Sequence, residues 1–422
     1  MQLELINTGT ELMLGRVLNT HAQWLCRQLA DRGYQVARQT TVPDTGETIE
    51  AAVREALSRA DLVLTTGGLG PTSDDLTRER IARLLHRDLK EDPEIVAHIR
   101  GFFEARKRAM PERVRVQALV PDGAIVLPNP NGTAPGLALE VNPNSFRPHG
   151  EPTWLVMLPG PTRELKPMFI DSVSPLLRRI LPLQQNFVCS TLRSTGIGES
   201  LVEERVAGPL QPLVEKGLEL GYCARSGQVD VRLAAHGAAA QDLVHQSTAI
   251  VRAQLPGQIF TETDEEIEAV LVHLLTGRGQ TLTVAESCTG GCLSHRLTNV
   301  PGASAVLLAG LVTYSNAAKQ KFLGVEPDTL AQHGAVSEPV ARQMAEGARR
   351  QTGADYALSI TGIAGPTGGT PEKPVGTVFI GLAGPFETIV VRYLNSWDRE
   401  TFKHVTAQQA MDLLRRKLKA VS

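Results

Sequence analysis

The sequence predicts an α/β protein of three domains, the first of them a doubly wound parallel sheet. The length of 422 residues predicts two or three domains, because one domain typically takes about 100–200 residues. Over residues 1–172, strand and helix patterns alternate, which is the order that builds a parallel sheet with helices on both faces. Residues 173–256 change to short strands and one helix, and residues 257–422 alternate again. We therefore expect a small α+β domain between two α/β domains.

The first domain shows this alternation from its first residues. An apolar strand at residues 3–6 precedes a helix with Leu25 and Leu29 on one face, and Gly33 is expected to end that helix. Strands then follow at residues 35–42 and 61–66, helices at residues 47–59 and 76–85, later strands around Ile125, Leu137 and residues 154–158, and a helix through Met168, Phe169 and Leu176. This succession places several strand ends at one edge of the sheet.

The other two domains have separate patterns. In the middle domain, strands are predicted at residues 192–194, 217–224 and 229–235, and a helix at residues 242–254. In the last domain, a helix around Ile267 precedes strands at residues 281–285, 306–314, 356–361 and 375–382, and an amphipathic helix through Phe402 and Leu414 follows. The middle domain shows no catalytic cluster, so a spacer role is its plainest interpretation.

Charge and composition exclude several classes of protein. Lys and Arg number 43 against 45 Asp and Glu, and this near balance argues against a protein built to neutralise nucleic-acid phosphates. Five scattered cysteines do not form a disulfide framework. No apolar run reaches the roughly 18–20 residues of a membrane helix, and the start MQLELINTGTELMLG has no basic segment before an apolar stretch. We therefore expect a cytoplasmic protein without a membrane partner.

A glycine loop with neighbouring acids forms the first candidate site. Gly67, Gly68 and Gly70 follow a predicted strand, where backbone N–H groups can approach a phosphate closely. Asp75 lies just after this loop, and Asp44 follows the preceding strand, so the two carboxylates could hold Mg²⁺ or a similar cation. The alternative is that Asp75 or its neighbour Asp74 only caps the next helix.

A serine at a strand-to-helix turn forms the second candidate site. Residues 283–291 read T-V-A-E-S-C-T-G-G, and a turn of this kind can present Ser287 with backbone N–H groups around it. No histidine is placed as a base, so a pairing of Ser287 with Lys319 is the simpler inference, with Tyr314 or Ser304 as a relay. Taken alone, Ser287 could also be a helix N-cap.

Together these blocks resemble the CinA family over essentially the whole chain. The N-terminal blocks G-T-E-L-M-L-G, N-G-T-A-P-G and L-P-G-P-T-R-E-L-K-P-M are similar to the MogA and MoaB molybdopterin-binding fold, and most closely to the CinA N-terminal domain. The C-terminal blocks A-E-S-C-T-G-G, V-T-Y-S-N and T-G-I-A-G-P resemble the CinA nicotinamide mononucleotide deamidase domain. One departure is Ala309 before Gly310, where relatives often have two glycines.

The resemblance implies two hydrolase activities and a role for each site residue. The N-terminal domain would be an ADP-ribose pyrophosphatase dependent on Mg²⁺ or Co²⁺, and the C-terminal domain would convert nicotinamide mononucleotide to nicotinate mononucleotide and ammonia without a cofactor. Catalytic roles fall on Ser287, Lys319, Tyr314, Ser304 and Asp75, substrate contacts on Thr289, Gly290, Gly291, Thr361, Gly362, Arg399, Gly67, Gly68, Gly70 and Thr133, and metal ligation on Asp44 and Asp75.

Other interpretations stay open. The deamidase could be the only active domain, with the N-terminal domain binding a pterin or nucleotide. A nucleic-acid-associated competence factor is suggested by the family name alone, and the net charge of −2 and 4% aromatic residues argue against it. The family's middle domain resembles a KH module, but residues 173–256 carry no basic G-x-x-G loop, which favours a hinge or homodimer role over RNA binding.

Overall fold

The strands at the N-terminus carry apolar side chains on both faces, so helices cover this sheet on both sides. In the first strand, Leu3 and Leu5 pack into one hydrophobic core and Ile6 packs into another on the opposite face. The computed structural model describes residues 1–420 and divides into two compact units, Met1–Phe187 and Val188–Ser422. The last two residues of the predicted C-terminal domain, 421 and 422, lie outside the described residues.

The first unit contains eight strands and seven α-helices among residues 1–187. The strands are β1 Leu3–Thr8, β2 Val36–Val42, β3 Leu62–Thr66, β4 Leu89–Glu91, β5 Leu119–Pro121, β6 Ile125–Leu127, β7 Gly136–Val141 and β8 Thr153–Leu158. The helices are α1 Thr10–Met13, α2 Thr20–Ala30, α3 Gly46–Leu57, α4 Thr77–Leu84, α5 Pro93–Glu104, α6 Thr162–Met168 and α7 Ser174–Ile180, with a 3₁₀ turn at Glu112–Ala118 and a π turn at Phe169–Val173.

The main sheet of this unit confirms the predicted α/β class. Its strand order is β2-β1-β3-β8-β7-β6, in which β2, β1, β3 and β8 run parallel and β7 and β6 extend the sheet antiparallel. The boundary that the sequence predicts at residues 172 and 173 stays a prediction. In the structure, Val173, Leu176 and Leu177 pack into the N-terminal core beside Leu3.

The second unit contains two sheets, each with its own core. The strands are β9 Phe187–Thr195, β10 Glu219–Arg225, β11 Gln228–His236, β12 Ile259–Thr261, β13 Leu282–Glu286, β14 Leu307–Val312, β15 Tyr356–Gly362, β16 Thr377–Ala383 and β17 Thr388–Leu394. The helices are α8 Glu199–Val214, α9 Ala240–Gln254, α10 Ile267–Arg278, α11 Cys292–Thr298, α12 Asn316–Leu323, α13 Pro327–His333, α14 Glu338–Thr352 and α15 Arg399–Ala420, with a 3₁₀ turn at Ala303–Ala305.

These two sheets match the predicted α+β and α/β domains. The first has the order β10-β11-β9-β12 and is covered by α8 and α9. The second has the order β14-β13-β15-β16-β17, in which β14, β13 and β15 are parallel, so their carboxyl ends meet at one edge. No helix within residues 1–420 has the length and apolar character needed to cross a membrane. All five cysteines are free thiols.

Candidate active site

Ser287 lies at the carboxyl edge of the C-terminal sheet, in the turn between β13 and α11. Its backbone N–H donates to the carbonyl oxygen of Ile360 on the neighbouring β15 at 3.0 Å, which fixes the start of the turn. Ser287 is only 8% exposed. The helix that follows begins at Cys292 and has no side-chain cap from Ser287, so the N-cap interpretation does not describe this serine.

Lys319 is the buried partner of Ser287. It lies on α12, whose start is capped by the Ser315 hydroxyl, and the lysine is 1% exposed. Its Nζ lies 2.9 Å from Ser287 Oγ and donates to the carbonyl oxygens of Thr313 at 2.9 Å and Tyr314 at 3.3 Å. Burial lowers the pKa of Lys319 below its ordinary value, and the Cys288 thiol opposes this only in part. A lysine of this kind can act as a general base.

The neighbouring thiol is not the nucleophile of this site. Burial raises the pKa of Cys288 to about 12, so the thiol stays protonated at neutral pH. The thiol lies beside the backbone of the turn, where the N–H groups of Cys288 and Thr289 face it. Within residues 1–420, these two N–H groups donate to no backbone carbonyl. A thiol is a weak acceptor, so neither N–H group is held by a strong acceptor.

Tyr314 and Arg399 form the exposed rim of the site. Arg399 Nη2 donates to the Tyr314 hydroxyl at 3.1 Å, and Arg399 Nη1 donates to the carbonyl oxygen of Gly365 at 2.8 Å. Tyr314 lies two residues after the end of β14 and is 62% exposed, and Arg399 is the exposed first residue of α15. The Arg399 and Tyr314 side chains thus contact each other, and the Tyr314 carbonyl oxygen accepts from Lys319 Nζ at 3.3 Å.

Several predicted substrate contacts already have partners inside the protein. The N–H of Gly291 donates to the Glu286 carboxylate at 3.0 Å, and the N–H of Gly290 donates to the Ser287 carbonyl at 3.1 Å. The Thr361 hydroxyl donates to a carbonyl oxygen at 2.7 Å, although Thr361 and Gly362 end β15 at the correct edge. In contrast, Thr289 Oγ1 is buried without a hydrogen-bond partner within the described residues 1–420.

Ser304 lies at the opposite edge of the sheet, and this placement contradicts its predicted role as a relay. It belongs to the 3₁₀ turn that precedes β14, and β14 runs parallel to β13 with Leu307 beside Leu282. Ser304 therefore lies near the start of these strands, whereas Ser287 follows their end. With strands of this length and about 3.3 Å per residue, the two hydroxyls cannot share a proton.

In the first unit, the glycine loop approaches other backbone closely. A Cβ on Gly67, at φ +96°, would lie 2.6 Å from Thr8 Oγ1, and a Cβ on Gly68, at φ +68°, would lie 2.1 Å from Thr77 Oγ1. Only glycine fits these positions, both because of the positive φ and because of the missing space. The loop follows β3 at the carboxyl edge, as predicted for a ligand-binding turn.

The two predicted acids each brace a loop at this edge. Asp75 Oδ2 accepts from the N–H of Thr72 at 2.9 Å and also from its hydroxyl, and a Cβ on Gly70 would lie 2.3 Å from the same oxygen. Asp44 Oδ2 accepts from the N–H of Thr10 at 2.8 Å. Helix α4 has no side-chain cap, so the capping interpretation of Asp75 is not observed.

The surroundings of these acids are compatible with a hard cation only in part. Within residues 1–420, no group of three or more His, Cys, Asp or Glu side chains is arranged to hold a metal. Asp44 and Asp75 come after β2 and β3, the two parallel strands on either side of β1, and supply the oxygen donors that Mg²⁺ prefers. Mg²⁺ commonly uses one or two carboxylates, with substrate phosphates completing its shell. The donor chemistry therefore fits a metal that arrives with a diphosphate.

A cavity and a further loop adjoin this edge. The cavity of about 640 Å³ is lined by Gly70, Asp75 and Arg113 among others, so both a carboxylate and a guanidinium face it. Thr133 lies in the loop before β7, where Leu137 pairs with Met157 near the end of β8. This pairing places the start of β7, and the Thr133 loop before it, at the same edge, and the role of Thr133 in binding stays a prediction.

Comparison with known proteins agrees with this arrangement of domains. Residues 4–179 match the family described as "Probable molybdopterin binding domain", residues 190–261 the "Damage-inducible protein CinA KH domain" and residues 264–418 the "CinA C-terminal domain". A CinA-like protein from Akkermansia muciniphila is 43% identical over 418 residues, which are 97% of this chain and 96% of that protein. This chain belongs to the CinA family.

Further CinA relatives include a full-length protein and a solved structure. A CinA-like protein from Gemmatimonas aurantiaca is 41% identical over 421 residues, covering 99% of this chain and 96% of that protein. A crystal structure of a competence-damaged protein (CinA) superfamily member from Klebsiella pneumoniae is 36% identical, covers 36% of this chain and 96% of its own, and has a TM-score of 0.36.

Sequence reasoning missed two contributors to the site. Glu286 ends β13 with its carboxylate buried, and Thr313 supplies a carbonyl oxygen to Lys319 while its own hydroxyl is buried without a partner within residues 1–420. The signal for Glu286 was present, because a carboxylate directly before a turn with two glycines can accept the N–H groups at a helix start. The role of Thr313 depends on a backbone atom, so no side-chain pattern indicates it.

Proposed function

We propose that this CinA-family chain hydrolyses the carboxamide of nicotinamide mononucleotide to release ammonia. The observation that carries the reaction type is the 2.9 Å contact between Lys319 Nζ and Ser287 Oγ, made by a lysine that is 1% exposed. The substrate rests on the resemblance of the C-terminal blocks to the deamidase domain of the family. For the first unit we propose a second activity, the cleavage of ADP-ribose.

The hydrogen bonds of Lys319 suit a neutral amine. When Lys319 is neutral, its two N–H bonds can donate to the carbonyl oxygens of Thr313 and Tyr314, and its lone pair can accept from the Ser287 hydroxyl 2.9 Å away. All three partners are uncharged, so nothing in this set favours the ammonium form by ion pairing. Together with the lowered pKa of Lys319, this arrangement supports proton transfer from Ser287 to the amine.

In the acylation step, Ser287 Oγ forms a bond to the carboxamide carbon and its proton moves to Lys319. The oxygen of the tetrahedral intermediate then accepts from the N–H groups of Cys288 and Thr289. Lys319 returns the proton to the leaving nitrogen, the C–N bond breaks, and ammonia departs from a Ser287 ester. Water deprotonated by Lys319 cleaves this ester, which gives nicotinate mononucleotide and restores the serine.

The rim residues would recognise the other end of the substrate. Arg399 presents a planar guanidinium that can hold two oxygens of a phosphate, and its Nη2 is already fixed by the Tyr314 hydroxyl at 3.1 Å. The N–H groups of Gly290 and Gly291 are used inside the protein. We therefore assign the phosphate to Arg399 rather than to the glycine turn.

The experiment is an assay of ammonia release from nicotinamide mononucleotide by the full chain. Ser287→Ala removes the nucleophile and should lower kcat by about three orders of magnitude or more. Ser304→Ala is the matched control, because Ser304 lies at the opposite edge of the sheet and its loss should leave the rate unchanged. A Ser287→Ala enzyme that releases ammonia at the normal rate would exclude this mechanism.

For the first unit we propose diphosphate binding and cleavage of ADP-ribose. The observation in favour is the glycine loop at Gly67 and Gly68, which adjoins a cavity of about 640 Å³ lined by Asp75 and Arg113. Asp44 and Asp75 would hold a divalent cation together with the diphosphate oxygens. When bound, the cation would neutralise the charge that develops on the leaving phosphate. The alternative is a unit that binds a pterin or nucleotide without cleaving it.

A further inference from the structure

Glu286 is a fully buried carboxylate that the proposed reaction does not use. It is 0% exposed and ends β13, directly before Ser287. Its Oε2 accepts from the N–H groups of Gly291 at 3.0 Å and Leu293 at 3.1 Å, and its Oε1 accepts from the N–H and the hydroxyl of Ser294 at 2.8 and 2.6 Å. All four donors are uncharged, and a carboxylate that only accepts fits them.

These contacts close the Ser287 turn into a ring. Glu286 joins the last residue of β13 to the first turn of α11, so the intervening residues 287–291 are held at both ends. Gly290 and Gly291 have φ values of +60° and +97° within this segment, which lets the chain turn back toward the carboxylate. The position of Ser287 Oγ relative to Lys319 therefore depends on the Glu286 contacts.

The Glu286 carboxylate also determines which backbone N–H groups of the turn remain available to a ligand. The start of a helix attracts anions, because its first N–H groups have no partner within the helix. Glu286 occupies that place from inside the protein, and the N–H groups it leaves are those of Cys288 and Thr289. A substrate phosphate would have to compete with Glu286 at the α11 start, whereas an oxyanion on a Ser287-bound carbonyl would have the N–H groups of Cys288 and Thr289 as its nearest backbone donors along the chain.

We propose that Glu286 is the positioning residue of the deamidase site: it fixes the turn that aims Ser287 at Lys319 and reserves two backbone N–H groups for the oxyanion. This inference rests on the proposed function and deepens it. Glu286 touches neither substrate nor the reacting atoms, so its effect is exerted through residues 287–291. A purely structural role would instead stabilise the fold without changing the rate of the folded enzyme.

The test compares Glu286→Gln with Asp355→Asn. Asp355 is the matched control, because its carboxylate contacts the chain at the other end of the same strand, β13. Asp355 Oδ2 accepts from the N–H and the hydroxyl of Thr281, both at 2.8 Å, where β13 begins. Asp355→Asn should lower stability to urea and leave kcat on nicotinamide mononucleotide unchanged. Glu286→Gln should lower kcat by about 10- to 100-fold with little change in KM, because small displacements of a nucleophile have effects of this size.

A second variant covers the case in which Glu286→Gln does not fold. Ser294→Ala removes only the hydroxyl donor to Oε1 and keeps all three N–H contacts. It should fold and should lower kcat by a smaller factor, again without a rise in KM. If either variant loses stability as Asp355→Asn does while kcat stays normal, Glu286 is only structural and the proposal is wrong.

A substrate-independent readout separates this proposal from the proposed function. A fluorophosphonate probe labels an activated serine: Ser287 Oγ bonds to phosphorus, fluoride leaves, and the proton goes to Lys319. Slower labelling of Glu286→Gln than of the parent chain supports the positioning role even if nicotinamide mononucleotide is not hydrolysed, in which case only the substrate is wrong. Equal labelling rates, or a parent chain that is not labelled at Ser287, overturn the role of Glu286.

Discussion

At the side chain of Lys319, burial and hydrogen bonding act in the same direction. Removal from water disfavours the ammonium form, and the two carbonyl oxygens that accept from Nζ can be satisfied by the neutral amine. The Ser287 hydroxyl is then the only partner that can donate to the nitrogen among the three. This combination explains why a lysine, without any histidine, can serve as the base.

The pH dependence of ammonia release should therefore follow Lys319. Because burial lowers the pKa of Lys319 and the base must be neutral, kcat/KM should rise with pH and level off below the ordinary value of 10.5. The measurement is a pH profile of the full chain from neutral to alkaline pH. Lys319→Arg should abolish the rise together with the activity, because arginine does not give up its proton at these pH values. A flat profile in the parent enzyme would contradict the assignment.

The lowered pKa of Lys319 also makes the stability of the fold depend on pH. The direction of this dependence is opposite to that for a lysine in a salt bridge, whose pKa is raised. Between the lowered pKa of folded Lys319 and its value of 10.5 when unfolded, the unfolded chain binds one more proton at this residue. The contribution of Lys319 to the free energy of unfolding therefore becomes more favourable as pH rises through that window. Lys319→Met should remove this dependence and serves as the reference in urea titrations at several pH values.

The structure places the side chains of Ser287 and Lys319 in contact and puts Ser304 at the opposite edge of the sheet, whereas the catalytic roles of Ser287 and Lys319 stay predictions. The motif around Ser287 indicates both the strand and the turn that follows it, so the edge of the sheet could be predicted. The pocket role of Ser304 was implied by the family resemblance, and a resemblance of short blocks does not tell whether a residue precedes or follows a strand. The contacts of Glu286 could not be predicted in detail, because they depend on the closed geometry of the turn.

At the scale of elements, α12 packs closely against α14 because Gly347 of α14 has no side chain. A Cβ on Gly347 would lie 1.8 Å from the carbonyl oxygen of Leu323, the last residue of the helix that carries Lys319. A backbone atom cannot move aside as a flexible side chain can. The distance between α12 and the Ser287 turn is therefore set partly by a glycine in the middle of another helix.

Gly347→Ala should accordingly lower both stability and activity. Overpacking of this kind costs about 1–3 kcal/mol, which exceeds the roughly 1 kcal/mol that alanine gains over glycine inside a helix. Urea unfolding and ammonia release measure the two effects. Gly277→Ala in α10 is the matched control, because nothing lies within 4 Å of its Cβ position and the change should slightly stabilise the chain. A Gly347→Ala enzyme with normal kcat would show that α12 can shift without moving Lys319.

Helix α8 shows what the sequence pattern could not indicate. Glu199–Val214 contains Pro209 and Pro212, each of which removes a backbone N–H donor and normally ends a helix. The helix nevertheless continues, because Val202 and Leu210 are fully buried in the core of the β10-β11-β9-β12 sheet. Tertiary packing thus outweighs local propensity here. In the first domain, the apolar strands β1, β3 and β8 could be predicted within two residues of their ends, whereas the three-residue strands β4 and β5 were not predicted.

At the scale of the whole molecule, the two candidate sites belong to different compact units. Asp75 and the glycine loop lie in Met1–Phe187, and Ser287 and Lys319 lie in Val188–Ser422. Each unit has hydrophobic cores built from its own residues. Each candidate site is therefore supported by the hydrophobic cores of its own unit. The predicted homodimer and its effect on either site stay predictions.

If the two sites act independently, a change at one site should leave the activity of the other site unchanged. Asp75→Asn should abolish ADP-ribose cleavage in the presence of Mg²⁺ or Co²⁺, because the change removes a charge that would hold the cation and weakens the brace on Thr72. Ammonia release should continue at the parent rate, since Ser287 and Lys319 lie in the other unit. Both activities are measured on the same preparation, with and without a chelator.

The control for this variant is Asp74→Asn, which changes an exposed acid next to Asp75 and should leave both activities intact. Chelator should stop ADP-ribose cleavage and spare ammonia release, because the proposed chemistry of Ser287 and Lys319 moves protons among these two side chains, the substrate and water. If Asp75→Asn keeps full cleavage, its carboxylate merely orders the loop through Thr72. If it instead lowers ammonia release, the two units are coupled, and the independence inferred from their separate cores is wrong.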